Sequence, residues 1–349
     1  MTKTALITGI TDQDGSYLAE LLLSKGYAVH GLIRRSSYIN TTSIEHLIAA
    51  ADSSDIPFFL HYGDLSDGEQ INNIIYRVLH DEVYNLAAQR HVLVSFDCHV
   101  YTGDVTAIGV FARILKSIRN CGKQIKYYQA SSSEMFGSTK PPQNETTVFH
   151  PRSPYSCAKV YWHYLMQNYR ESYNPFACLG LLFNPETPRK GENFVTRKIT
   201  RGIAAILTRN QNQLVMGKLD AKRDWVYSHE YVQAMWQMLQ IDKPDDYVIG
   251  TGASHSVLEF IESAFSYVGL HFDNYVSFDK KFLRQAGVDD LIADTTKSTT
   301  QLNCEPKLTF TDLINVMVDS DMLALGLEPM GEGDEILRKL YPDSWWAKD

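Results

Sequence analysis

The sequence predicts an α/β fold, in which helices cover both faces of a parallel β-sheet and a smaller α/β lobe follows toward the C-terminus. Three observations support this prediction. An apolar stretch at residues 4–8 is followed by a glycine-containing turn and a helical pattern at 16–25. Strand-like and helical patterns then alternate, which is the order that builds a parallel sheet. The regular alternation stops after Asn184, which indicates a second lobe.

The predicted elements of the first part follow one another in βαβ order. Further strands are expected at 28–33, 58–62, 82–86, 125–128 and 176–182, with helices at 68–79 and 104–120. Later helices are predicted at 193–208, 231–240, 257–268 and 310–323. We therefore expect a nucleotide-binding domain at 1–183, to which segments near 225–252 return, and a second lobe at 184–224 and 253–349.

The composition is that of an ordinary globular protein, with 44% hydrophobic and 21% charged residues and a net charge of −8. An acidic balance argues against a broad nucleic-acid surface, and no apolar run is long enough to span a membrane. The five cysteines and eleven histidines lack paired or metal-ligand spacing, so we expect reduced thiols, a cytoplasmic protein and no metal. Because the first strand starts almost at the N-terminus, we expect no signal peptide.

The turn after the first strand has the context of a dinucleotide-binding fingerprint. Gly9 and Gly15 lie between a strand and a helix, as in Rossmann-type domains. A middle glycine would let the backbone approach a pyrophosphate, but that position is Asp12. A carboxylate about 5 Å from a phosphate charge costs about 3 kcal/mol at an effective dielectric constant of 20. We expect either that Asp12 turns away to solvent or that it weakens cofactor binding.

The end of the second strand predicts which nicotinamide cofactor binds. This strand runs into two arginines and two serines at 34–37. An NAD site commonly has an acidic residue here for the ribose hydroxyls, whereas arginines suit the 2′-phosphate of NADP. The sequence therefore predicts NADP, and the alternative interpretation is a solvated basic turn.

Residues 129–159 carry the candidate catalytic groups. Tyr155 and Lys159 lie one helical turn apart on one face, so the ammonium should stabilise the phenolate and let Tyr155 act as a base near neutral pH. Ser132 and Glu134 follow a predicted strand and can supply a hydroxyl donor and a second acid/base. A Tyr-x-x-x-Lys pair alone is weak evidence, because most such pairs are surface residues. Its position downstream of the glycine turn favours redox and proton transfer at a carbohydrate carbon.

Other polar residues have the places that ligand contacts require. Asp64 follows the third strand and can accept from an adenine amino group, and Gln89 ends a small-residue edge after the strand at 82–86. Lys198, Arg223 and Arg284 are separate basic residues on an acidic chain. Together these three suit a pyrophosphate ligand, although each alone is more often surface charge.

Five segments of the chain resemble the GDP-mannose 4,6-dehydratase family. They are residues 5–23, 84–89, 151–155, 194–201 and 223–225. The segment Phe-Val-Thr-Arg-Lys-Ile-Thr-Arg at 194–201 is more specific than the glycine turn, and the resemblance extends over residues 3–320. It implies an NADP-dependent hydro-lyase of the extended short-chain dehydrogenase type. Such an enzyme converts GDP-α-D-mannose to GDP-4-keto-6-deoxymannose and water by internal hydride transfer from C4 to C6, and forms dimers or tetramers.

The resemblance also assigns roles to single positions. It implies that Tyr155 takes the 4-hydroxyl proton and Glu134 the C5 proton, with Ser132 in place of the family's threonine and Lys159 beside the tyrosine. Positions that match cofactor ligands are Gly9, Thr11, Asp12, Gln13, Asp14, Gly15, Arg35, Asp64, Leu65, Leu86, Ala88, Gln89, Tyr101, Lys159 and Lys190. Positions that match substrate ligands are Asn184, Val195, Lys198, Arg223 and Arg284.

Five positions depart from the family pattern. They are Asp12 for glycine, Arg90 for serine, Pro185 for histidine, Lys190 for arginine and Gly287 for an acidic residue. The catalytic set is complete, which favours an active enzyme. Three alternatives stay open at this point. The same chemistry could act on another GDP-sugar such as a GDP-heptose, the chain could be a nucleotide-sugar epimerase or reductase, or it could be an NADP- or GDP-binding module with impaired catalysis.

Overall fold

A seven-stranded parallel sheet is the centre of the computed structural model, which describes residues 2–37, 39–109, 111–279 and 288–342. The strands of the described chain are, in order, β1 Thr4–Thr8, β2 Ala28–Ile33, β3 Phe58–Tyr62, β4 Glu82–Asn85, β5 Lys126–Ala130, β6 Ala177–Leu182, β7 Asn184–Glu186, β8 Leu214–Met216, β9 Lys222–Arg223, β10 Trp225–Tyr227, β11 Asp246–Ile249, β12 His255–Ser256 and β13 Val276–Phe278. The strands of the seven-stranded sheet lie in the spatial order β11-β6-β5-β4-β1-β2-β3. The predicted α/β fold is confirmed.

Helices cover both faces of this sheet. In chain order they are α1 Gln13–Ser24, α2 Glu45–Ser53, α3 Gly68–Val78, α4 Val92–Asp97, α5 His99–Gly103, α6 Lys116–Asn120, α7 Pro154–Tyr173, α8 Val195–Leu207, α9 Ser228–Met238, α10 Val257–Tyr267, α11 Thr296–Leu302, α12 Phe310–Ala324 and α13 Glu332–Leu340. The central strands are apolar and buried on both faces, as parallel strands under two helix layers must be.

Two hydrophobic cores lie on opposite faces of the sheet, and a third holds the second lobe together. On one face α1 packs with α9, through buried side chains such as Tyr17 and Met235. On the other face α7 contributes Trp162 and Met166, together with apolar residues of α3. The third core joins α8, α10 and α12 around Trp225. The exact division of the chain into two domains stays a prediction.

The predicted helix at 104–120 is wrong in detail. Residues Asp104–Ile108 and Phe111–Leu115 form wider π-helical turns, and only Lys116–Asn120 is α-helical. The helices α4 and α5 at 92–103 were not predicted. Both are short and rich in β-branched residues, so the segment lacks a clear helical period.

No helix in the described ranges has both the length and the apolar composition that a membrane span requires. These same ranges also hold no group of three metal-ligating side chains.

Candidate active site

The candidate site lies where β1, β4, β5 and β6 end at one edge of the sheet, the usual place for ligands of doubly wound folds. Helix α7 starts there because Ser153 caps it and Pro154 occupies its first position. The Ser153 hydroxyl accepts from the Ser156 backbone N–H, and the Ser156 side chain closes the reciprocal capping box. This start fixes the direction of the first two turns, which carry Tyr155 and Lys159.

Tyr155 and Lys159 are both buried, but they are not hydrogen bonded to each other. The Lys159 ammonium donates to the carbonyl oxygen of Ala130, at the end of β5, over 2.8 Å. It lies 5.8 Å from the centroid of the Tyr155 ring. Burial lowers the pKa of Lys159 to about 8. The helical spacing thus places both groups at the site, and the strand end decides where the ammonium points.

Burial works against the expectation that Tyr155 acts as a base near neutral pH, and that role stays a prediction. Burial raises the pKa of Tyr155 to about 12, and the Glu134 carboxylate also raises it. The Ser132 hydroxyl and the Arg90 guanidinium lower this pKa, but by less than burial raises it. The phenol therefore holds its proton at neutral pH here, and a base function requires additional positive charge near its oxygen.

Ser132 and Glu134 lie in the turn that follows β5, close to Tyr155. The Ser132 hydroxyl accepts from the Glu134 backbone N–H at 3.2 Å and starts a short 3-10 turn. Glu134 is buried, and its Oε1 lies 3.8 Å from Nη2 of Arg223. Arg223 also donates to the carbonyl oxygens of Lys222 and Val288, which hold its guanidinium in place. The structure thus brings a predicted substrate residue against a predicted catalytic carboxylate.

The glycine turn is shaped for close approach of backbone to backbone. Gly9 has φ +74°, and a Cβ there would lie 2.9 Å from the backbone nitrogen of Ala87. A Cβ on Gly15 would lie 2.2 Å from the Gly9 carbonyl oxygen. The backbone N–H groups at the start of α1 have no partner inside the helix, so this end suits an anion. The turn therefore fits the pyrophosphate of a dinucleotide.

Asp12 stands at the N-cap of α1 but does not cap the helix with its side chain. Its Oδ1 accepts instead from Nη2 of Arg90 at 3.0 Å, so it neither turns away into solvent nor stands as an isolated charge. The neighbouring Asp14 accepts from the Ser228 hydroxyl at 2.8 Å, and burial raises the pKa of Asp14. Both acidic side chains of the turn are thus held by partners from distant parts of the chain.

A second group of contacts continues from Arg90 into the second lobe. The Arg90 guanidinium lies 5.5 Å from the centroid of the Phe194 ring, and the Lys190 ammonium lies 4.7 Å from it. Lys190 is also held by Glu186, at 3.2 Å, and by the carbonyl oxygen of Pro185, at 2.5 Å. The aromatic ring of Phe194 is therefore in contact with cations from both lobes.

The remaining cofactor candidates lie along the sheet edge, and they differ in exposure and in hydrogen bonding. Arg35 is exposed, with its guanidinium 5.9 Å from the Tyr62 ring. Burial raises the pKa of Asp64, but two hydrogen bonds from Ser66 and nearby arginines lower it overall, so Asp64 stays ionised. The side-chain amide of Gln89 is engaged by His91 and Thr102. Four further candidates lie along the same edge or beside it, and they are Thr11, Leu65, Leu86 and Ala88. Tyr101 is exposed on α5.

Two buried side-chain oxygens in the site point to a missing polar partner. Within the described residues, Oδ1 of Asn184 and Oε1 of Gln13 are buried and accept no hydrogen bond. The Gln13 amide nitrogen donates to the carbonyl oxygen of Pro185 at 3.0 Å, so the two residues belong to one cluster. Since buried polar atoms are rarely left without a partner, these oxygens fit contacts to a bound nucleotide or sugar.

Of the predicted substrate residues in the described part of the chain, Lys198 is the one that lines a cavity of the second lobe. This cavity has a volume of about 630 Å³ and lies between α8, β8 and the end of α12. Lys198 lines it and donates to the carbonyl oxygen of Val215 at 2.6 Å, and Val195 begins α8. Arg284 and Gly287 lie outside the described residues.

Known proteins resemble this chain over most of its length. The profile of the family named GDP-mannose 4,6 dehydratase matches residues 6–317. GDP-mannose 4,6 dehydratase 1 of Arabidopsis thaliana is 52% identical over 325 residues, which cover 92% of this chain and 90% of that protein. The chain belongs to this family. The resemblance inferred from five sequence segments is therefore confirmed.

A second relative supports the same family, and a solved structure shows the same fold. GDP-mannose 4,6-dehydratase of Vibrio cholerae is 46% identical over 350 residues and matches 92% of this chain and 94% of that one. Among solved structures, RMD from Pseudomonas aeruginosa complexed with NADPH superposes with a TM-score of 0.74. That match covers 93% of this chain and 99% of the other at 20% identity, which shows a shared fold.

Sequence reasoning missed the pairing of two departures from the family pattern. Asp12 and Arg90 were each identified as unusual, and the structure joins them in an ion pair across 78 positions of sequence. The one available signal was their opposite charge. The sequence reasoning also missed the contacts of Phe194 and Glu186, because a lone aromatic residue and a buried carboxylate have no distinctive spacing.

Proposed function

We propose that the chain is a cytoplasmic, NADP-dependent GDP-mannose 4,6-dehydratase that forms a homodimer or homotetramer. Membership of the family supports the reaction. The observation that carries the site assignment is the cluster of Ser132, Glu134 and Tyr155 at the sheet edge, with Arg223 beside Glu134. Dehydration needs a base for a carbon-bound proton in addition to the tyrosine, and Glu134 is that second group.

The cofactor is held by the glycine turn and the residues along the sheet edge. The turn from Gly9 to Gly15 binds the pyrophosphate, and Arg35 binds the 2′-phosphate. The Asp64 carboxylate accepts a hydrogen bond from the adenine amino group. NADP, when bound, supplies an acceptor and donor of hydride that carries a positive charge in its oxidised form. The residues present fit this cofactor. Gly9 and Gly15 have no room for a side chain, as the tight turn of a dinucleotide-binding fingerprint requires.

The chain's own groups move the protons. The Tyr155 oxygen takes the proton of the sugar's 4-hydroxyl, and Ser132 donates a hydrogen bond to the same oxygen of the sugar. The Glu134 carboxylate takes the C5 proton, which the neighbouring C4 ketone has made acidic, and delivers it to the 6-hydroxyl, which leaves as water. The Arg223 guanidinium lies 3.8 Å from the Glu134 carboxylate and places a positive charge beside it. Because Tyr155 holds its proton in the present geometry, it becomes a base only when positive charge is brought close to its oxygen.

The GDP-sugar lies between the catalytic cluster and the second lobe. Asn184 offers its unpaired oxygen to a sugar hydroxyl, while Lys198 and Arg223 provide charge for the diphosphate. Val195, the first residue of α8, belongs to the same proposed set, as does Arg284, which lies outside the described residues.

An exposed apolar face supports association with a second copy of the chain. Leu93, Val94 and Val100 on α4 and α5 are largely exposed, as are Tyr161 and Tyr164 on α7. These helices contact each other in the fold, so their apolar side chains form one neighbouring surface. A symmetric dimer would cover this surface with its own copy.

Incubation with GDP-mannose and NADP, followed by mass spectrometry, tests this function. We expect the nucleotide sugar to lose one water with no net reduction of the cofactor. Stoichiometric consumption of NADPH in a parallel incubation with the reduced cofactor would indicate a reductase, and turnover with another GDP-sugar alone would change the substrate. Binding without turnover across a panel of GDP-sugars would refute the enzyme.

Glu134→Gln tests the assigned base. The variant should lose dehydration while it still binds GDP-mannose and NADP, because the amide keeps the shape and cannot take a proton. Glu171→Gln, an exposed change on α7, is the control and should keep full activity. Undiminished water loss by Glu134→Gln would remove Glu134 from the mechanism.

A further inference from the structure

Arg90 lies at the junction of the glycine turn, the end of β4 and the second lobe. Its Nη2 donates to Asp12, and its guanidinium lies over Phe194. We propose that Arg90 is a direct ligand of the cofactor's pyrophosphate, that Asp12 and Phe194 position it, and that it offsets the charge that Asp12 places in the glycine turn. This inference rests on the proposed function, because it takes NADP to bind at that turn.

Asp12 places a negative charge in the glycine turn. This residue stands at the N-terminus of α1, where the backbone N–H groups favour an anion. An unpaired carboxylate there would repel the pyrophosphate. The ion pair with Arg90 makes the combination neutral, and it is only partly exposed, with side chains 32% and 39% accessible. Screening by solvent is therefore incomplete, and the pairing matters to a bound phosphate.

An arginine side chain has five N–H groups in a planar fork. Within the described part of the chain, Asp12 is the one hydrogen-bond acceptor of the Arg90 guanidinium. The other edge of the fork keeps its donors available. Arginine forks of this kind bind phosphate oxygens through two parallel hydrogen bonds.

The Arg90 guanidinium lies 5.5 Å from the centroid of the Phe194 ring, and the Lys190 ammonium, which pairs with Glu186, lies 4.7 Å from the same ring. The positive charge of Arg90 also lowers the pKa values of Asp14 and Tyr155, against the larger effect of burial. Arg90 is thus held at the glycine turn, between the Asp12 carboxylate and the Phe194 ring, and the proposed function assigns the pyrophosphate to this turn.

Four proteins separate a direct contact from simple neutralisation: the wild type, Arg90→Ser, Asp12→Gly and the double variant. NADP is titrated into each protein after bound nucleotide has been removed, with calorimetry as the readout. We expect Arg90→Ser to weaken NADP binding by about 30-fold, because it loses the donor and leaves Asp12 unpaired. The double variant should bind about fivefold more weakly than the wild type, since it loses the contact alone. Asp12→Gly should bind at least as tightly as the wild type.

Matched controls test the cause of these changes. Adenosine 2′-phosphate lacks a pyrophosphate, so its affinity should be the same for all four proteins. Arg338→Ser breaks a remote, exposed ion pair with Asp334 and should leave NADP binding unchanged. Arg90→Lys keeps the charge but loses the fork, and it should bind with intermediate affinity. Circular dichroism checks that each variant is folded.

The outcomes distinguish this inference from the proposed function. If the double variant binds NADP as tightly as the wild type, Arg90 only neutralises Asp12 and the direct contact is refuted. If Arg90→Ser binds like the wild type, Arg90 has no part in the site. Either result would leave the NADP-dependent function standing, whereas a wild type that does not bind NADP would overturn both.

Discussion

A single added methyl group at Gly15 tests whether the glycine turn has the geometry described here. Gly15 lies in the first turn of α1, and an ideal Cβ there would lie 2.2 Å from the Gly9 carbonyl oxygen and 2.6 Å from Cα of Ile10. Carbon and oxygen atoms that are not bonded need about 3.2 Å, so the turn would have to move by about 1 Å. That oxygen accepts the Asp12 backbone N–H at 3.1 Å, and the movement would weaken this hydrogen bond.

The expected cost can be worked out from these contacts. Overpacking costs about 1–3 kcal/mol and the lost hydrogen bond about 1 kcal/mol, while alanine gains up to about 1 kcal/mol over glycine in a helix. Gly15→Ala should therefore lower the free energy of unfolding by about 1–4 kcal/mol. It should also weaken NADP binding by about tenfold or more, since the displaced turn no longer presents its N–H groups.

Gly103→Ala is the matched control for this experiment. Gly103 has helical dihedral angles, φ −62° and ψ −43°, and a Cβ there would meet no atom within 4 Å. We expect this variant to be unchanged or more stable, by up to about 1 kcal/mol. Urea unfolding followed by circular dichroism measures stability, and calorimetry measures NADP affinity. A Gly15→Ala protein that matches the wild type in both would refute the description of the turn.

Three further variants test the site and the core. Tyr155→Phe should abolish the transient absorbance of reduced nicotinamide on mixing with GDP-mannose, because no group then accepts the 4-hydroxyl proton; a normal transient would contradict this role. Burial lowers the pKa of His80 from 6.5 to about 3, so the unfolded chain binds the proton first and stability falls as the pH drops below about 6.5. Between pH 6.5 and pH 5 the free energy of unfolding should fall by about 2 kcal/mol less in His80→Leu than in the wild type, measured by urea unfolding at both pH values. The exposed variant His99→Leu should show the same fall as the wild type. Arg170→Met should cost about 3–5 kcal/mol, because it leaves the buried Asp246 without its two hydrogen bonds at 2.6 and 2.8 Å; a loss under about 1 kcal/mol on urea unfolding would contradict the role of that pair.

Local patterns made the sheet and the catalytic helix predictable. The strand, turn and helix at 4–25 are consecutive in sequence, so a short window contains the whole pattern. Ser153 and Pro154 mark the start of α7 in the same local way. The segment at 92–115 was not predictable in the same way. Its helices are short, they change to wider turns, and they are stabilised by packing against α7. Such a segment is held by tertiary contacts that no short window of sequence contains.

Directions of side chains were harder to predict than their positions. The spacing of Tyr155 and Lys159 correctly placed both on one helix, but the ammonium turns to the carbonyl oxygen of Ala130. The pKa of Tyr155 rises because the site is buried, and burial depends on the whole fold. Sequence reasoning applied a rule for two neighbouring groups, while the structure adds the competing acceptor and the loss of solvent.

Four of the five departures from the family pattern, Asp12, Arg90, Pro185 and Lys190, form one network of contacts. Asp12 pairs with Arg90, Arg90 and Lys190 contact the same ring, and Lys190 donates to the carbonyl oxygen of Pro185. Compared with the family residues at these positions, Asp12 adds one negative charge and Arg90 adds one positive charge, while lysine for arginine changes none. The net charge around the pyrophosphate site is thus the same as in the family pattern. A module that had lost its chemistry would need neither this balance nor the buried Glu134 beside Arg223, and both features therefore favour a working dehydratase over a binding module.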